Sequence, residues 1–369
     1  MFRCLAFFFT AAATLAVIPE YTYAAAAEQS VKERFQLEEA ATAVRERAGW
    51  KKPKRILLVG GSPESVEQLK AVAPGVEVVR ASNAVEAQAL AGNVDAVIGG
   101  CTPGILEAGK SIRWVQVFSA GVEGCIGIPS VRERDILVTN MQRIMGPVIA
   151  EHVTAMMLGL ARGLNAYIPA QGAREWRRDA AAGKMAVVEG KTMLVVGLGG
   201  IGSEIARRGH ALGMRVIATR ASGRTGPDFV SYVGLPDELH KLASEADVVV
   251  NATPLTPQTT DIFDAAFFAQ MKPTAYFINI GRGKSVVTSA LVDALSKGGI
   301  AGAGLDVTEP EPLPADHPLW TLPNVIITPH VAAQSDLGFA AQLEVVKENV
   351  RRYTAGERML SVVDVKKGY

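Results

Sequence analysis

Short apolar runs recur along most of the chain and alternate with longer segments in which the apolar residues have helical spacing. Such runs are typical of buried strands, whereas apolar positions three and four apart indicate amphipathic helices. We predict strands at residues 55–60, 76–80, 95–99, 114–118, 136–139, 192–196, 215–219, 248–251, 276–280, 302–306 and 325–328, and helices at 62–73, 84–91, 149–160, 203–213 and 337–353. This alternation predicts an α/β fold of doubly wound parallel sheets with helices on both faces.

A glycine-rich turn, GLGGIG at residues 197–202, follows one predicted strand and opens a predicted helix. In that context the pattern indicates a dinucleotide-binding site. Gly197 permits a tight turn, Gly199 lets a pyrophosphate approach the backbone, and Gly202 lets the helix pack closely on the strand. We therefore predict a Rossmann-type domain that binds a nicotinamide dinucleotide.

The residue that follows the second strand of such a domain usually distinguishes the two nicotinamide cofactors. An acid at this point binds the ribose 2′-hydroxyl, but here the chain carries Arg220, followed by Ser222. A guanidinium and a hydroxyl bind a 2′-phosphate, which a carboxylate would repel. We expect NADP to be preferred, with NAD as the alternative.

The 369 residues are enough for two domains of ordinary size. The helix at 149–160 is apolar almost throughout, which suits a buried connection between domains, and the amphipathic helix at 337–353 can fold back on the first lobe. We predict that residues 51–146 and 333–369 form a flavodoxin-like substrate domain, into which the dinucleotide-binding domain, 147–332, is inserted. Residues 27–50 are polar and are expected to form a linker or a leading helix.

The amino-terminal segment has the composition of an export signal. A basic start is followed by an uncharged apolar run at 4–18, by Pro19 and by the alanines 24–27. This order is typical of a secretory signal peptide, and the run is too short to favour a membrane span. We predict a signal peptide at 1–26 and a periplasmic or secreted protein, with the cytoplasm as the alternative. The segment contains no twin arginine, so export would deliver a chain without cofactor, and its cofactor source stays open.

Charge and cysteine content exclude several classes of partner. A formal net charge of +1 offers no electrostatic basis for binding nucleic acid or an acidic membrane. Cys4, Cys101 and Cys125 form no CxxC pair and no zinc-ligand spacing with the five histidines, so no metal is expected. Isolated thiols are the favoured interpretation, although Cys101 and Cys125 can pair in an oxidising compartment.

Three residues at the carboxyl ends of predicted strands form a candidate catalytic set: Arg282, Glu311 and His330. Open α/β sheets bind ligands at this edge. An arginine binds a carboxylate and polarises a carbonyl, and a histidine supplies a proton near neutral pH. A glutamate that accepts from the other imidazole nitrogen fixes the tautomer, a role that we predict for Glu311 rather than Glu309. The set suits reduction of a 2-oxo acid, whereas His152 is expected to be a packed helix residue.

Four blocks occur in order along the chain: GLGGIG at 197–202, NIGRG at 279–283, LDVTEPEP at 305–312 and TPHVA at 328–332. On these blocks the chain resembles the D-isomer-specific 2-hydroxyacid dehydrogenases, which include phosphoglycerate dehydrogenase and glyoxylate/hydroxypyruvate reductases. The resemblance covers about 51–350 and implies the catalytic roles given above, a homodimer formed through the cofactor domain, and a carboxylate site at Ala120, Gly121, Val122 and Arg282. Besides the contacts already predicted for Gly197, Gly199, Gly202 and Ser222, it implies cofactor contacts from Gly200, Ile201, Arg220, Thr253, Pro254, Ile280, Arg282, Asp306 and His330.

The expected function is hydride transfer between NAD(P)H and a small 2-oxo acid, giving a D-2-hydroxy acid. Two alternatives stay open at this point. A formate dehydrogenase-like enzyme is disfavoured because related enzymes carry an amide where Glu311 stands. A dinucleotide-sensing interaction protein, like the C-terminal-binding corepressors, would keep the same three residues.

Overall fold

The computed structural model describes residues 30–336 and 338–368, so the predicted signal peptide lies outside the described residues. The strands are β1 (Arg55–Val59), β2 (Glu77–Ala81), β3 (Ala96–Ile98), β4 (Trp114–Gln116), β5 (Leu137–Thr139), β6 (Thr192–Val196), β7 (Arg215–Thr219), β8 (Tyr232–Gly234), β9 (Val248–Asn251), β10 (Tyr276–Asn279), β11 (Gly302–Leu305) and β12 (Val325–Ile327). The helices are α1 (Val31–Arg34), α2 (Pro63–Val72), α3 (Ala84–Leu90), α4 (Pro103–Ala108), α5 (Glu123–Ile126), α6 (Pro129–Glu133), α7 (Gly146–Ala161), α8 (Leu164–Gly172), α9 (Gly200–Ala211), α10 (Leu239–Glu245), α11 (Ala265–Gln270), α12 (Thr288–Ser296) and α13 (Gly338–Ala355).

The strands form two parallel sheets. The first has the order β2-β1-β3-β4-β5, which is the flavodoxin-like arrangement. The second has the order β12-β11-β10-β9-β6-β7-β8. If β6 is counted as the first strand, the order is 7-6-5-4-1-2-3, which is the Rossmann order with a seventh strand added. The direction of the strand order reverses between β6 and β9. The predicted fold class is confirmed.

Burial of both faces explains why the strands of the second sheet are nearly continuous apolar runs. Every residue of β6, β9, β10 and β11 is buried. Strands covered by helices on both sides have no exposed face on which polar residues could alternate. Apart from Thr192 at the start of β6, the buried polar residues Asn251, Asn279 and the following Asp306 stand at the carboxyl ends. The polar chemistry of this domain is therefore concentrated at one edge of the sheet.

Helix α7 packs against the second sheet through residues that leave little space. A Cβ at Gly304 of β11 would lie 3.0 Å from Met156 Sδ, and one at Gly159 of α7 would lie 3.2 Å from Ile326 Cδ1. The helix begins three residues before the predicted 149–160, because Pro147 is well suited to a first turn. Its apolar composition is explained by burial of Ile149, Val153, Met156 and Leu160 and their neighbours.

Helix α13 closes the first lobe, although it lies about 200 residues further along the chain. The Tyr353 ring packs on Trp114 of β4 with centroids 4.7 Å apart. Buried Asn349 donates to Gln116 Oε1 at 2.9 Å and to the Leu360 carbonyl at 3.1 Å. Each of these groups would cost about 1–3 kcal/mol if left unpaired. The exact domain limits at 146 and 333 stay a prediction.

Residues 30–50 do not form a leading helix. Only the turn α1 is helical before the chain runs along the carboxyl-terminal segment, where the Ala40 N–H donates to Met359 O at 2.8 Å and the Val44 N–H to Glu357 O at 2.9 Å. Leu37 and Val44 are buried beneath this contact. The expectation was a linker or a leading helix, but backbone partners far along the chain stabilise an irregular path of turns, with a single 3₁₀ turn at Val44–Glu46.

Cys101 and Cys125 form a disulfide, so the interpretation of both as isolated thiols is wrong. The first follows β3 and the second lies in α5, after β4. Because β3 and β4 are neighbours in the sheet, the Cα atoms of the two cysteines are 5.3 Å apart, a separation that a disulfide spans.

Among residues 30–336 and 338–368 no group of His, Cys, Asp or Glu side chains could hold a metal ion. Within the same residues no helix is long and apolar enough to cross a bilayer.

Candidate active site

Arg282, Glu311 and His330 lie in loops that follow three neighbouring strands. Arg282 comes after β10, Glu311 after β11 and His330 after β12. These strands are adjacent and parallel in the order β12-β11-β10, so their carboxyl ends meet at one edge of the sheet. The strand order therefore brings together three loops that are up to 48 residues apart in the chain.

His330 and Glu311 form a hydrogen-bonded pair, with Nδ1 and Oε1 2.6 Å apart. Because a carboxylate can only accept, the shared proton belongs to Nδ1, which leaves Nε2 free for another partner. The two side chains keep 47% and 41% of their surface exposed, so they stand at the wall of an open cleft. In this arrangement the carboxylate fixes the tautomer and the orientation of the imidazole.

The loop that carries His330 is held by Asp306, the first residue after β11. One carboxylate oxygen of Asp306 accepts from Thr328 Oγ1 at 2.6 Å and from the Val331 N–H at 2.9 Å, and the other accepts from the Ala332 N–H at 3.1 Å. His330 itself has a left-handed backbone with φ of 55°. Such a conformation costs of order 1–3 kcal/mol in a side-chain-bearing residue and is usually fixed by its surroundings. The Asp306 contacts provide that constraint.

A buried polar network holds the loop that carries Arg282. Asn251 Nδ2 donates to Asn279 Oδ1 at 2.8 Å and to Ser285 Oγ at 2.7 Å, and Ser285 Oγ donates to the Arg282 carbonyl at 2.6 Å. Asn279 adds a 3.2 Å bond to the same carbonyl. All three side chains are essentially inaccessible to water, so the network fixes the backbone from which the guanidinium extends.

The Arg282 guanidinium reaches across to the first lobe. Its Nε donates to Glu123 Oε1 at 2.5 Å, and its Nη2 lies so close to Gly121 that a Cβ there would be 1.8 Å away. Burial by itself would raise the pKa of Glu123, but the Arg282 charge, its hydrogen bond and the N–H groups of Glu123 and Val122 lower it by more. Glu123 is therefore ionised at neutral pH, and Arg282 links the two lobes.

A cavity of about 570 Å³ lies at this junction. Its lining combines the loop after β4, the end of β3 with the disulfide, and Arg282: Gly99, Cys101, Val117, Phe118, Ser119, Gly121, Val122, Glu123, Gly124, Cys125 and Arg282. Ala120, the remaining residue of the predicted carboxylate site, is adjacent in the chain, and its carbonyl accepts from Asn140 Nδ2 at 2.7 Å. The cavity has the size of a small-molecule site and contains a cation suited to a carboxylate.

The glycine turn has the space and the donors that a pyrophosphate requires. A Cβ at Gly202 would lie 2.0 Å from the Gly197 carbonyl, so the helix α9 can approach β6 only with glycine at this position. In front of Gly199 nothing lies within 4 Å of a Cβ position. The first N–H groups of α9, those of Gly200, Ile201 and Gly202, have no acceptor within their own helix because they precede its first complete turn. These residues fit a dinucleotide phosphate.

Gly200 also allows the two lobes to approach. A Cβ there would lie 2.6 Å from Arg143 Cγ and within 3.3 Å of the Arg143 backbone. Arg143 is paired with Glu38 at 2.7 Å, so its side chain is directed to residues 30–50.

Arg220 follows β7 and organises the loop after it. Its Nε donates to Ser222 Oγ at 2.8 Å and its Nη1 to the Thr225 carbonyl at 3.0 Å. By contrast, Arg224 is paired with Glu238 at 2.6 Å. Arg220 thus contributes a cation beside the glycine turn without a carboxylate among these hydrogen-bond partners.

The other predicted cofactor residues line the same edge of the sheet. Thr253 follows β9, and both its N–H and its hydroxyl donate to Asn251 Oδ1, at 3.0 and 2.7 Å. The Pro254 carbonyl accepts from Thr259 Oγ1 at 2.6 Å, and Ile280 is buried directly after β10. Nε2 of His152 in α7 lies 2.9 Å from Thr328 Oγ1, so this histidine forms a hydrogen bond with the loop that carries His330.

Sequence comparison identifies the family. A model of the D-isomer specific 2-hydroxyacid dehydrogenase NAD binding domain matches residues 154–332. The chain is 34% identical over 272 residues to glyoxylate/hydroxypyruvate reductase A of Photorhabdus laumondii, covering 70% of this chain and 82% of that protein. It is also 34% identical over 261 residues to a glyoxylate reductase of Korarchaeum cryptofilum, covering 69% and 76%.

Solved structures agree with this result. An NADPH-dependent glyoxylate/hydroxypyruvate reductase from Sinorhizobium meliloti, in complex with NADP and sulfate, has a TM-score of 0.73 at 29% identity and covers 86% of this chain and 100% of that one. A D-isomer specific 2-hydroxyacid dehydrogenase from Xanthobacter autotrophicus, in complex with NADPH and MES, has a TM-score of 0.73 at 28% identity and covers 85% and 99%. The chain has the two-lobed fold of a nicotinamide-dependent oxidoreductase. It belongs to the D-isomer-specific 2-hydroxyacid dehydrogenase family, as the sequence blocks predicted.

One feature of the site was absent from the sequence-based prediction, and a second was only the less favoured alternative there. Glu123 stands directly after the predicted carboxylate loop, and its acidic side chain beside Gly121 and Val122 was the signal that could have identified it. The disulfide in the pocket wall required knowledge of which strands are neighbours. Both features depend on contacts between segments that local patterns do not relate.

The close approach of Arg282 to Gly121 gives a direct test of the site. We expect Gly121→Ala to displace the guanidinium and to lower kcat/KM for a 2-oxo acid by about 100-fold, since an error near 1 Å in a positioning group has effects of that order. Gly92→Ala is the control, because nothing lies within 4 Å of its Cβ position and this residue of the same lobe does not line the cavity. Equal steady-state rates for the Gly121→Ala variant and the control would contradict the proposed position of Arg282.

Proposed function

We propose that this protein reduces small 2-oxo acids of the glyoxylate and hydroxypyruvate type to D-2-hydroxy acids, with NADPH as the preferred reductant. The observation that carries the proposal is the His330–Glu311 hydrogen bond on the strand edge that also carries Arg282. Relatives named as glyoxylate and hydroxypyruvate reductases support the substrate class.

Arg282 has two tasks in this reaction. Its guanidinium binds the substrate carboxylate and polarises the neighbouring carbonyl, with the backbone of Ala120, Gly121 and Val122 on the other side of the anion. The reduced nicotinamide, when bound, supplies the hydride to the carbonyl carbon. The rigid loop after β10 keeps the guanidinium at the carbonyl oxygen, where negative charge develops.

His330 provides the proton. With Nδ1–H held by Glu311, the Nε2–H of the protonated ring donates to the carbonyl oxygen, and the ring leaves the step neutral. Glu311 accepts from Nδ1 and so holds the ring in the orientation that this transfer requires. Formate oxidation has no proton to deliver at this position, so the carboxylate at 311 favours the reductase over a formate dehydrogenase-like enzyme.

The preference for NADPH is supported by Arg220 and Ser222. Their side chains already contact each other at 2.8 Å after β7, where the ribose of a bound dinucleotide is expected. The NADP and NADPH complexes of the similar Sinorhizobium and Xanthobacter proteins agree with this proposal.

The catalytic roles can be tested by substitution. We expect His330→Ala and Arg282→Ala each to lower kcat/KM for hydroxypyruvate by about 10²–10⁴-fold, the range for a lost proton donor or charge-stabilising group. His240→Ala, which removes an exposed histidine from the same domain, should retain full activity. The measurement is the steady-state rate of each folded variant, and full activity without His330 would refute its role. A wild type that binds the dinucleotide tightly but reduces no 2-oxo acid would favour the dinucleotide-sensing alternative.

Cofactor choice has its own test. Arg220→Ala should lower kcat/KM for NADPH by more than about tenfold through loss of one charge-assisted contact, while kcat/KM for NADH stays within about threefold. Arg215→Ala, at the opposite end of β7, is the matched control because this arginine is paired with Glu245. A wild type that prefers NADH would overturn the assignment of Arg220.

We further propose a homodimer formed through the cofactor domain. Segment 164–187 carries large apolar side chains that are mostly exposed: Ile168 at 60%, Trp176 at 94% and Val187 at 62%. Their burial against a second copy would be strongly favourable. Sedimentation velocity tests this, and a wild type that is monomeric at micromolar concentration would contradict it.

Export is proposed on two independent features. The leader at 1–26 has the order of a signal peptide. The protein also has a disulfide between Cys101 and Cys125, and disulfides persist in oxidising compartments. We expect the protein from its natural host to have a mature amino terminus near residue 27 and to leave both cysteines unmodified by an alkylating agent until a reductant is added. Mass spectrometry measures both; an intact Met1 together with free thiols would contradict export.

A further inference from the structure

Glu123 introduces a negative charge into the pocket that is expected to receive an anion. Its carboxylate is half-buried beside Arg282, and it belongs to the same lining as Gly121 and Val122. The described lining residues include no cation besides Arg282 and no anion besides Glu123. The wall of the pocket therefore has no net charge before a substrate binds.

The contacts of Arg282 determine where a substrate carboxylate can bind. Nε donates to Glu123 Oε1 at 2.5 Å and Nη1 to the Gly281 carbonyl at 2.7 Å. Nη2 lies against Gly121, beside the backbone that is expected to hold the carboxylate. A substrate can thus use Nη2 while Glu123 stays on Nε, so that one guanidinium serves two carboxylates.

Charge then limits which substrates are accepted. When a 2-oxo acid with one carboxylate binds, the site holds two negative charges, those of Glu123 and the substrate, and the single positive charge of Arg282. A 2-oxo diacid adds a third, and the remaining lining residues are uncharged. The His330–Glu311 pair does not compensate, because a protonated His330 is balanced by its own partner. Like charges brought together in a partly desolvated pocket are strongly unfavourable.

Size does not provide the same selection. A cavity of about 570 Å³ has room for a four- or five-carbon diacid, so steric exclusion cannot distinguish such a compound from hydroxypyruvate. The Glu123 oxygen that is not bonded to Nε can accept a hydrogen bond from a hydroxyl on the third carbon. The same carboxylate thus repels a second anionic group and favours a hydroxyl.

We propose that Glu123 is a specificity-determining residue that restricts this pocket to 2-oxo acids with a single carboxylate and an uncharged, preferably hydroxyl-bearing, third carbon. The proposal rests on the proposed function, because it concerns the substrate of the same site.

The test compares three variants with two substrates. Hydroxypyruvate is the monoanion, and oxaloacetate is the dianion with a carboxylate on the third carbon. Glu123→Gln removes the charge and keeps the shape, Glu123→Asp keeps the charge, and Glu133→Gln removes an exposed carboxylate of α6 outside the pocket. We expect wild type to prefer hydroxypyruvate, and Glu123→Gln to lower the kcat/KM ratio of hydroxypyruvate to oxaloacetate at least about tenfold, mainly through KM for oxaloacetate. The ratio should stay within about twofold of wild type in the other two variants.

Calorimetric titration with the dianion tartronate and the monoanion glycolate gives a readout that does not depend on turnover. Glu123→Gln should tighten tartronate relative to glycolate, also about tenfold. An unchanged ratio in both assays, or a wild type that prefers oxaloacetate, would overturn the role of Glu123. Failure of the wild type to reduce any 2-oxo acid would instead refute the proposed function, and the titration would still decide the charge selection.

Discussion

Hydrogen bonding between three neighbouring parallel strands, β12, β11 and β10, is the constraint on which the candidate active site depends. Tyr276 pairs with Gly302, and Ala303 pairs with Val325, so the three strands run in step and end at one edge. Neighbouring strands are about 4.8 Å apart, and the loops with Arg282, Glu311 and His330 therefore start from adjacent positions. The hydrogen bonds between these strands therefore fix the relative positions of the three loops.

The second requirement is close contact between the lobes, and small residues provide it. Gly121 lets the Arg282 guanidinium lie on the first lobe, and Gly200 lets the Arg143 backbone approach the glycine turn. The pair Arg282–Glu123 then adds a charged contact across the junction. Since the pocket has residues of both lobes in its wall, binding of a carboxylate and alignment of the lobes are coupled physically.

Local patterns were sufficient for the buried strands and for most of the site chemistry. Strands β6, β7 and β9 lie at the predicted residues, because burial on both faces leaves a continuous apolar signal. The edge strand β8 and the helices α4 to α6, α8 and α10 to α12 escaped prediction, since elements of three to nine residues carry little periodicity. Residues 30–50 were expected to form a linker or a leading helix, and their backbone partners at 357–361 explain the irregular path that they take instead.

The sequence by itself determined the fold class, the dinucleotide turn at 197–202 and the three residues Arg282, Glu311 and His330, because strand ends, glycine spacing and motif order are local properties. Only the tertiary structure decided that Asp306 holds the His330 loop and that Cys101 and Cys125 are joined. It also decided that Glu123 shares the pocket with Arg282, 159 residues away. The physical reason is the same in each case: these contacts are made by parallel strands that are neighbours in space and not in the chain.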